Sequence, residues 1–340
     1  MISPRRGALL ATALIIALLL IPRPGSAQPP TPAKTVIIDA PSIGRKTAYN
    51  LILPADYETS GDKRYPVLYL LHGYSGSYNN WAGMGVGRAA KGLDLIVVMP
   101  DGGNSWYVNW AEPGEDQKNA WDDFLVKDLI GHVDATYRTI AARDGRAING
   151  LSMGGFGVLA VGLRHPDLFC SVGSHSGALA FAKGSGDRLR SGQEVPARKN
   201  QPSDTPNESI KIEGFRSQAE RSPKGKAFAK AEDADASDPF KLVLAVPTEK
   251  RPHIYVDCGT EDRLITASRD FAKLLMENNI PFVSAESAGG HNGAYWTREI
   301  GTSMAVQYAI LKRNRADRPA HEKDTEKAKE KAKEPAGATP

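Results

Sequence analysis

The spacing of apolar residues changes period several times between Val36 and Lys312, and each change predicts an element. Val36–Asp39 and Ala48–Leu53 read as two early strands on either side of a turn at Pro41–Gly44. Val67–Leu71 and Leu95–Met99 are β-rich apolar runs, stopped by His-Gly and by Pro-Asp-Gly. Continuous runs of that length suit strands covered on both faces, as in a parallel sheet. Trp121, Phe124, Leu125, Leu129, Val133 and Tyr137 then recur at helical spacing. A short strand at Ala147–Asn149 leads into a small-residue helix from Met153 to Arg164, followed by a strand at Cys170–Ser174. His253–Asp257 and Val283–Ala288 are strands with a helix at Ser268–Asn278 between them, and a helix at Thr302–Leu311 closes the pattern. About eight strands alternating with helices predict one α/β domain, a mostly parallel sheet with helices on both faces.

Three stretches fall outside this rhythm. Phe181–Val246 is rich in Gly, Ser, Pro and charge, with helical patterns around Phe215–Lys230 and Asp238–Val246. It reads either as a cap or lid inserted over a site, or as a solvated excursion. At the N-terminus, Arg5 and Arg6 precede an apolar run from Ala8 to Ile21, and Gly25-Ser26-Ala27 follows. A basic start, a short apolar core and small residues at the end predict a signal peptide cleaved after Ala27. The run is shorter than the roughly 20 residues of a membrane span, so the mature chain is expected to be secreted or periplasmic, with no span. From Arg313 onward no apolar residue is larger than Ala, and Glu322, Glu326, Glu330 and Glu334 repeat like charge at i,i+4. Such a tail cannot bury enough surface to offset its ordering entropy and is expected to be disordered. The domain is thus placed at residues 28–312.

The formal net charge of +4 falls to about +1 once Arg5, Arg6 and Arg23 leave with the leader. That balance carries no electrostatic footprint for nucleic acid. Cys170 and Cys258 are the two cysteines. One starts a strand and the other nears the end of another, so their Cα atoms are expected to lie beyond the roughly 7 Å reach of a disulfide. No Cys/His cluster has zinc spacing.

Gly150-Leu151-Ser152-Met153-Gly154 is a Gly-x-Ser-x-Gly pattern set between a short strand and a small-residue helix. That setting is what a nucleophile elbow requires: a turn so tight that a side chain at either glycine would collide with its neighbours. It lifts Ser152 above the sheet over the positive end of the following helix. A serine hydroxyl needs a base to take its proton. His291, in Gly289-Gly290-His291-Asn292-Gly293 just past the last strand, is the base expected there. The acid belongs on the loop after the preceding strand, where Asp262 is favoured over Glu261 and Asp257. Backbone donors for an oxyanion are expected at Met153 and at Tyr74, with Gly73 as the alternative to Tyr74; His72 is read as ordering that loop. Trp81, Trp106, Tyr107, Trp110 and Trp296 fall in loops at the same strand ends, where they line an acyl or aryl pocket or pack the loops. Trp106, Tyr107, Trp296 and His175, which ends a strand, are taken as candidate substrate contacts.

These segments together, Val67–Trp81, Val98–Tyr107, Ile148–Gly155, Asp257–Leu264 and Gly289–Trp296, resemble the esterase D-like branch of the α/β-hydrolases, the family described as "Putative esterase". Trp106-Tyr107 after Pro100-Asp101-Gly102 looks closest to its tributyrin and feruloyl esterases. The resemblance implies a Ser–His–Asp triad of Ser152, His291 and Asp262, an acyl-enzyme and no metal or cofactor. It implies hydrolysis of small or polysaccharide-linked carboxylic esters, with short acyl or hydroxycinnamoyl groups. Two alternatives share the fold: an exported acyltransferase of mycolyltransferase type with the same triad, and a non-catalytic polysaccharide-binding module, which predicts a broken one.

Overall fold

A computed structural model describes residues 32–114, 118–195 and 225–316. Eight strands form one sheet among these residues: β1 (Lys34–Ala40), β2 (Arg45–Ile52), β3 (Val67–Leu71), β4 (Ile96–Pro100), β5 (Arg146–Leu151), β6 (Ser171–His175), β7 (His253–Gly259) and β8 (Phe282–Ser287). Their order is β1-β2-β4-β3-β5-β6-β7-β8. β1 and β2 form an antiparallel hairpin, and β2 pairs antiparallel with β4. From β4 to β8 every pairing is parallel.

The unbroken apolar runs do what their pattern predicts. Val67, Tyr69 and Leu71 of β3 face a core with Trp121, Phe124 and Phe156, whereas Leu68 and Leu70 face Trp81, Met304 and Leu311 on the other side. Successive strand side chains point to opposite faces, so a strand covered twice must be apolar throughout. Each large side chain buried this way is worth about 1.5–3 kcal/mol. At the open edge, β8 has only partly buried and exposed residues.

Helices cross between the strands. Trp121–Asp123, Phe124–Leu129 and Ile130–Thr136 run on as one helix, α1, whose middle part is π-wound rather than the regular turn its spacing predicts. α2 (Met153–Arg164) is buried from Met153 to Leu163, and its small residues let it lie close on the sheet. α3 (Phe181–Arg190), α4 (Ala231–Asp235) and α5 (Pro239–Ala245) belong to the insert. α5 starts where predicted, with Asp238 accepting a capping bond from the Phe240 N–H at 3.0 Å and Pro239 in its first turn. The predicted helix at 215–230 is not found over 225–230, which are bends and a bridge; residues 215–224 lie outside the described residues. α6 (Ile265–Glu277) precedes β8.

α7 (Gly293–Ala316) is far longer than the predicted Thr302–Leu311. Its first turns carry the apolar row Trp296, Ile300 and Met304 at i,i+4, which continues the helix back to two residues after His291. It also runs past the expected domain end at 312. The expected leader, 1–27, the insert's 196–224 and the tail from 317 lie outside the described residues. No helix among the described residues is long and apolar enough to cross a membrane. Cys170 and Cys258 are free and buried, and burial pushes their thiols up to about 11 and about 12.

Candidate active site

At the end of β5 the chain reverses direction within one residue. Ser152 takes φ 54 and ψ −115 before Met153 opens α2. A non-glycine residue in that region costs on the order of 1–3 kcal/mol and persists only where its surroundings hold it. Here the Ser152 N–H donates to the His175 carbonyl at 2.9 Å, and the Ser152 carbonyl accepts from Ala178 at 3.0 Å and Phe156 at 3.1 Å. The flanking glycines are required sterically. A Cβ on Gly154 would stand 2.5 Å from the Leu71 carbonyl oxygen, and one on Gly150 would stand 2.7 Å from the Gly154 backbone.

His291 comes to this serine from the loop between β8 and α7. Its Nε2 lies 2.8 Å from Ser152 Oγ, and its Nδ1 lies 2.8 Å from Asp262 Oδ2. Trp296 stands edge-on to the imidazole, with ring centroids 5.0 Å apart and planes at 88°. Asp262 is buried, and its other oxygen accepts the Leu264 N–H at 2.9 Å. Burial alone would raise this carboxyl, but the bonds from His291 and Leu264 outweigh it and hold it below the usual carboxylate range. Of the other acids weighed, Glu261 is exposed, and Asp257 is buried against His175. The structure therefore brings Ser152, His291 and Asp262 into one hydrogen-bonded line, Asp262 being the one of the three acids that reaches the imidazole.

The loop after β3 passes beside the serine: a Cβ on Gly73 would lie 3.2 Å from Ser152 Cβ. His72 orders that loop, as its sequence position suggests. Gly102 N–H donates to His72 Nε2 at 2.8 Å, so Nε2 is an acceptor and the proton sits on Nδ1, which donates to the Gly73 carbonyl at 2.7 Å. The Ser75 N–H donates to Asn104 Oδ1 at 2.7 Å. Tyr74 and Met153 are thus both carried by backbone fixed around Ser152, Met153 at the N-terminus of α2, where N–H groups point outward.

Two candidate substrate contacts lie elsewhere. Tyr107 is fully buried, and its hydroxyl donates to the His72 carbonyl at 3.0 Å; burial pushes its phenol well above the usual range. It braces the loop after β3 from behind. His175 is also fully buried, beneath the elbow, between Asp257 and Ser303. A strand end marks the site's level but does not say which way its side chain points, which is why sequence places both residues wrongly. Trp296 supports His291 from the side. Trp81 is core, its indole N–H donating to the Leu71 carbonyl at 3.0 Å, and Trp110 donates to the Ser105 carbonyl at 3.0 Å.

Trp106 is buried beside Tyr74, which lies on the loop that passes Ser152. Its ring stacks on Phe181 at 3.5 Å and 7°, meets Phe156 edge-on at 5.9 Å and lies 6.1 Å from Tyr74. Phe228 adds to Phe181 at 5.6 Å. Phe181 opens the insert, and sequence reasoning missed it because nothing in the insert's polar composition marks one phenylalanine as a wall. α3 and α4 are joined by Arg190 and Asp235 at 2.5 Å, and Lys226 pairs with Glu112 as an isolated bridge. The described part of the insert therefore leans on the loop that carries Trp106. Among the described residues no group of three His, Cys, Asp or Glu side chains is placed to hold a metal.

Sequence and structure comparisons give the family and the fold. The family described as "Putative esterase" matches residues 40–304. Esterase Rv1288 of Mycobacterium tuberculosis is 31% identical over 253 residues, 74% of this chain; the match spans 53% of that relative, about half its length. An acetyl esterase of Caldicellulosiruptor saccharolyticus is 27% identical over 276 residues, 77% of this chain and 92% of its own. Among solved structures, the fluorophosphonate-binding serine hydrolase FphF of Staphylococcus aureus superposes with a TM-score of 0.63 at 23% identity, covering 81% of this chain and 98% of its own. At that identity the likeness is one of fold, the α/β-hydrolase fold.

Proposed function

The chain belongs to the "Putative esterase" family of α/β-hydrolases and is a serine esterase; on that premise we propose that Ser152, His291 and Asp262 are its catalytic triad. The observation that carries this reading is the unbroken line from Ser152 Oγ through His291 to Asp262, with both contacts at 2.8 Å. Asp262 holds the imidazole with Nδ1 protonated, which leaves the Nε2 lone pair facing the serine hydroxyl. Ser152 attacks the ester carbonyl as His291 takes its proton. The backbone N–H groups of Met153 and Tyr74 hold the tetrahedral oxyanion, each worth about 3–4 kcal/mol of transition-state stabilisation. His291 then protonates the leaving alcohol. In the second half, His291 draws a proton from water, which attacks the acyl-enzyme and releases the acid.

The acyl group is a short chain or a hydroxycinnamoyl group, on a small or polysaccharide-linked alcohol. The flat wall of Trp106, Phe181 and Tyr74 supports an aryl acyl group, and the likeness to an acetyl esterase supports a short one. The test is hydrolysis of p-nitrophenyl acetate, butyrate and octanoate and of methyl ferulate. Ser152→Ala is expected to lose more than about 10⁴-fold in kcat while still binding ester. Turnover unchanged in that variant would remove Ser152 from the mechanism.

The reaction takes place outside the cytoplasm, after cleavage behind Ala27. The basic, apolar and small-residue succession from Arg5 to Ala27 supports this. N-terminal sequencing of the exported protein is expected to start at Gln28; an uncleaved cytosolic protein would refute it.

A further inference from the structure

Beneath the elbow lies a second line of Asp, His and Ser, sealed from solvent. His175, Asp257 and Ser303 are each 2% exposed or less. His175 Nδ1 lies 2.7 Å from Asp257 Oδ2, and its Nε2 lies 2.8 Å from Ser303 Oγ. Trp81 stands edge-on to this imidazole at 5.9 Å, and the tilted Tyr255 ring lies 6.0 Å away. No ester reaches this serine. Burying an imidazole against a carboxylate costs desolvation that an apolar packing of the same volume avoids. What this buried network supplies instead is one fixed register, through the bonds of His175 Nε2 to Ser303 and of Asp257 Oδ1 to Tyr295; Nδ1 and Oδ2 approach without hydrogen-bond alignment.

The register it sets is that of the proposed catalytic pair. The backbone carbonyl of His175 accepts the Ser152 N–H at 2.9 Å, and that of Asp257 accepts the Ser176 N–H at 2.8 Å. On the other side, Asp257 Oδ1 accepts from the Tyr295 hydroxyl at 3.2 Å. Tyr295 lies in the first turn of α7, four residues after His291, and its own N–H donates to Asn292 Oδ1 at 3.1 Å. Its ring closes on the chain before His291, where a Cβ on Gly289 would stand 2.9 Å away. Further along α7, Ser303 and Gln307 take the two bonds of the Asn149 amide at 3.1 and 2.8 Å, and Gln307 donates to the Ile148 carbonyl at 3.1 Å. Asn149 and Ile148 are on β5, the strand that ends in Ser152. One connected set of buried polar groups therefore touches both the elbow and the start of the helix behind the histidine loop.

We propose that His175, Asp257 and Tyr295 are positioning residues that set the distance between Ser152 and His291; this rests on those two being the catalytic pair. They touch no substrate. They act by fixing α7, and with it the histidine loop, against the strand end that carries the serine. A misplacement of the order of 1 Å at such a pair costs about 10²-fold in rate.

The test compares Tyr295→Phe, Ser303→Ala and His175→Gln with the wild type in four measurements. These are kcat and KM on p-nitrophenyl butyrate, the rate of Ser152 labelling by a fluorophosphonate, the far-downfield proton resonance of His291 Nδ1–H, and near-ultraviolet circular dichroism. Tyr295→Phe removes one hydroxyl and keeps the ring, so the fold is retained. It is expected to lower kcat and the labelling rate about tenfold, with KM within about twofold, and to shift or broaden the resonance. His175→Gln is expected to lose about 10²-fold if it folds, and Ser303→Ala less than Tyr295→Phe. Wild-type kcat, labelling rate and resonance in both Tyr295→Phe and Ser303→Ala would overturn the proposal, whatever their thermal stability. The esterase reading stands or falls separately, on wild-type hydrolysis and its loss in Ser152→Ala. The labelling and resonance comparisons read the network even if none of the chosen esters is turned over.

Discussion

Two lines of Asp, His and Ser lie on adjacent levels of this molecule, and only one is placed to do chemistry. In Asp262–His291–Ser152 the serine sits on a turn at φ 54, the histidine on a loop and the acid behind it, with the imidazole edge open to solvent. In Asp257–His175–Ser303 the histidine ends a strand, the serine lies inside a helix, and all three are sealed. The contact distances are nearly the same. What differs is access, the strained backbone that presents the hydroxyl, and the alignment of the acid, since His291 Nδ1 is hydrogen-bonded to Asp262 whereas His175 Nδ1 and Asp257 Oδ2 approach without that geometry. The lesson is that the three residue types make a site only where the fold leaves room for a fourth group between serine and oxyanion donors.

The comparison can be broken most sharply at the two acids. Asp262→Asn is expected to lower kcat about 10⁴-fold, since an amide no longer selects the Nδ1–H tautomer. Asp257→Asn is expected to lower it about 10²-fold at most, because it shifts the pair and leaves its chemistry intact. Steady-state kinetics of both variants checks this, and equal losses would erase the distinction drawn here. A smaller effect sharpens it. Asp262 titrates below the usual carboxylate range in the folded chain and near about 3.9 when unfolded. Its contribution to stability is therefore present above about pH 4 and is lost as pH falls through the folded value. Denaturant titrations from pH 6 down to 3 are expected to show a steeper loss for the wild type than for Asp262→Asn; parallel curves would contradict the assignment.

Much of this was legible in the chain. The runs Val67–Leu71 and Leu95–Met99 mark strands because coverage on two faces demands apolar residues at every position. Gly150 and Gly154 mark the elbow because backbone approaches of 2.5–2.7 Å exclude a side chain. The order of elements after Ser152 then points to Asp262 and His291. The rest was hidden for definite reasons. His175 and Tyr107 lie at the right level but face inward, and orientation at a strand end or in a turn leaves no periodic trace. The first turns of α7 read as loop because Gly293 and the Thr297-Arg298-Glu299 run interrupt them, although Trp296, Ile300 and Met304 recur at helical spacing. Phe181 belongs to the wall only because α3 folds back onto Trp106.

The long helix behind His291 also bears on how the chain comes alive. Synthesis runs from N- to C-terminus, so on the proposed triad Ser152 and the loop after β3 exist first, then Asp262, and His291 arrives just ahead of α7. The helix that follows His291 is held to β5 by the bonds of Asn149 with Ser303 and Gln307. On the proposed triad, a growing chain carries its serine without a base until this helix docks.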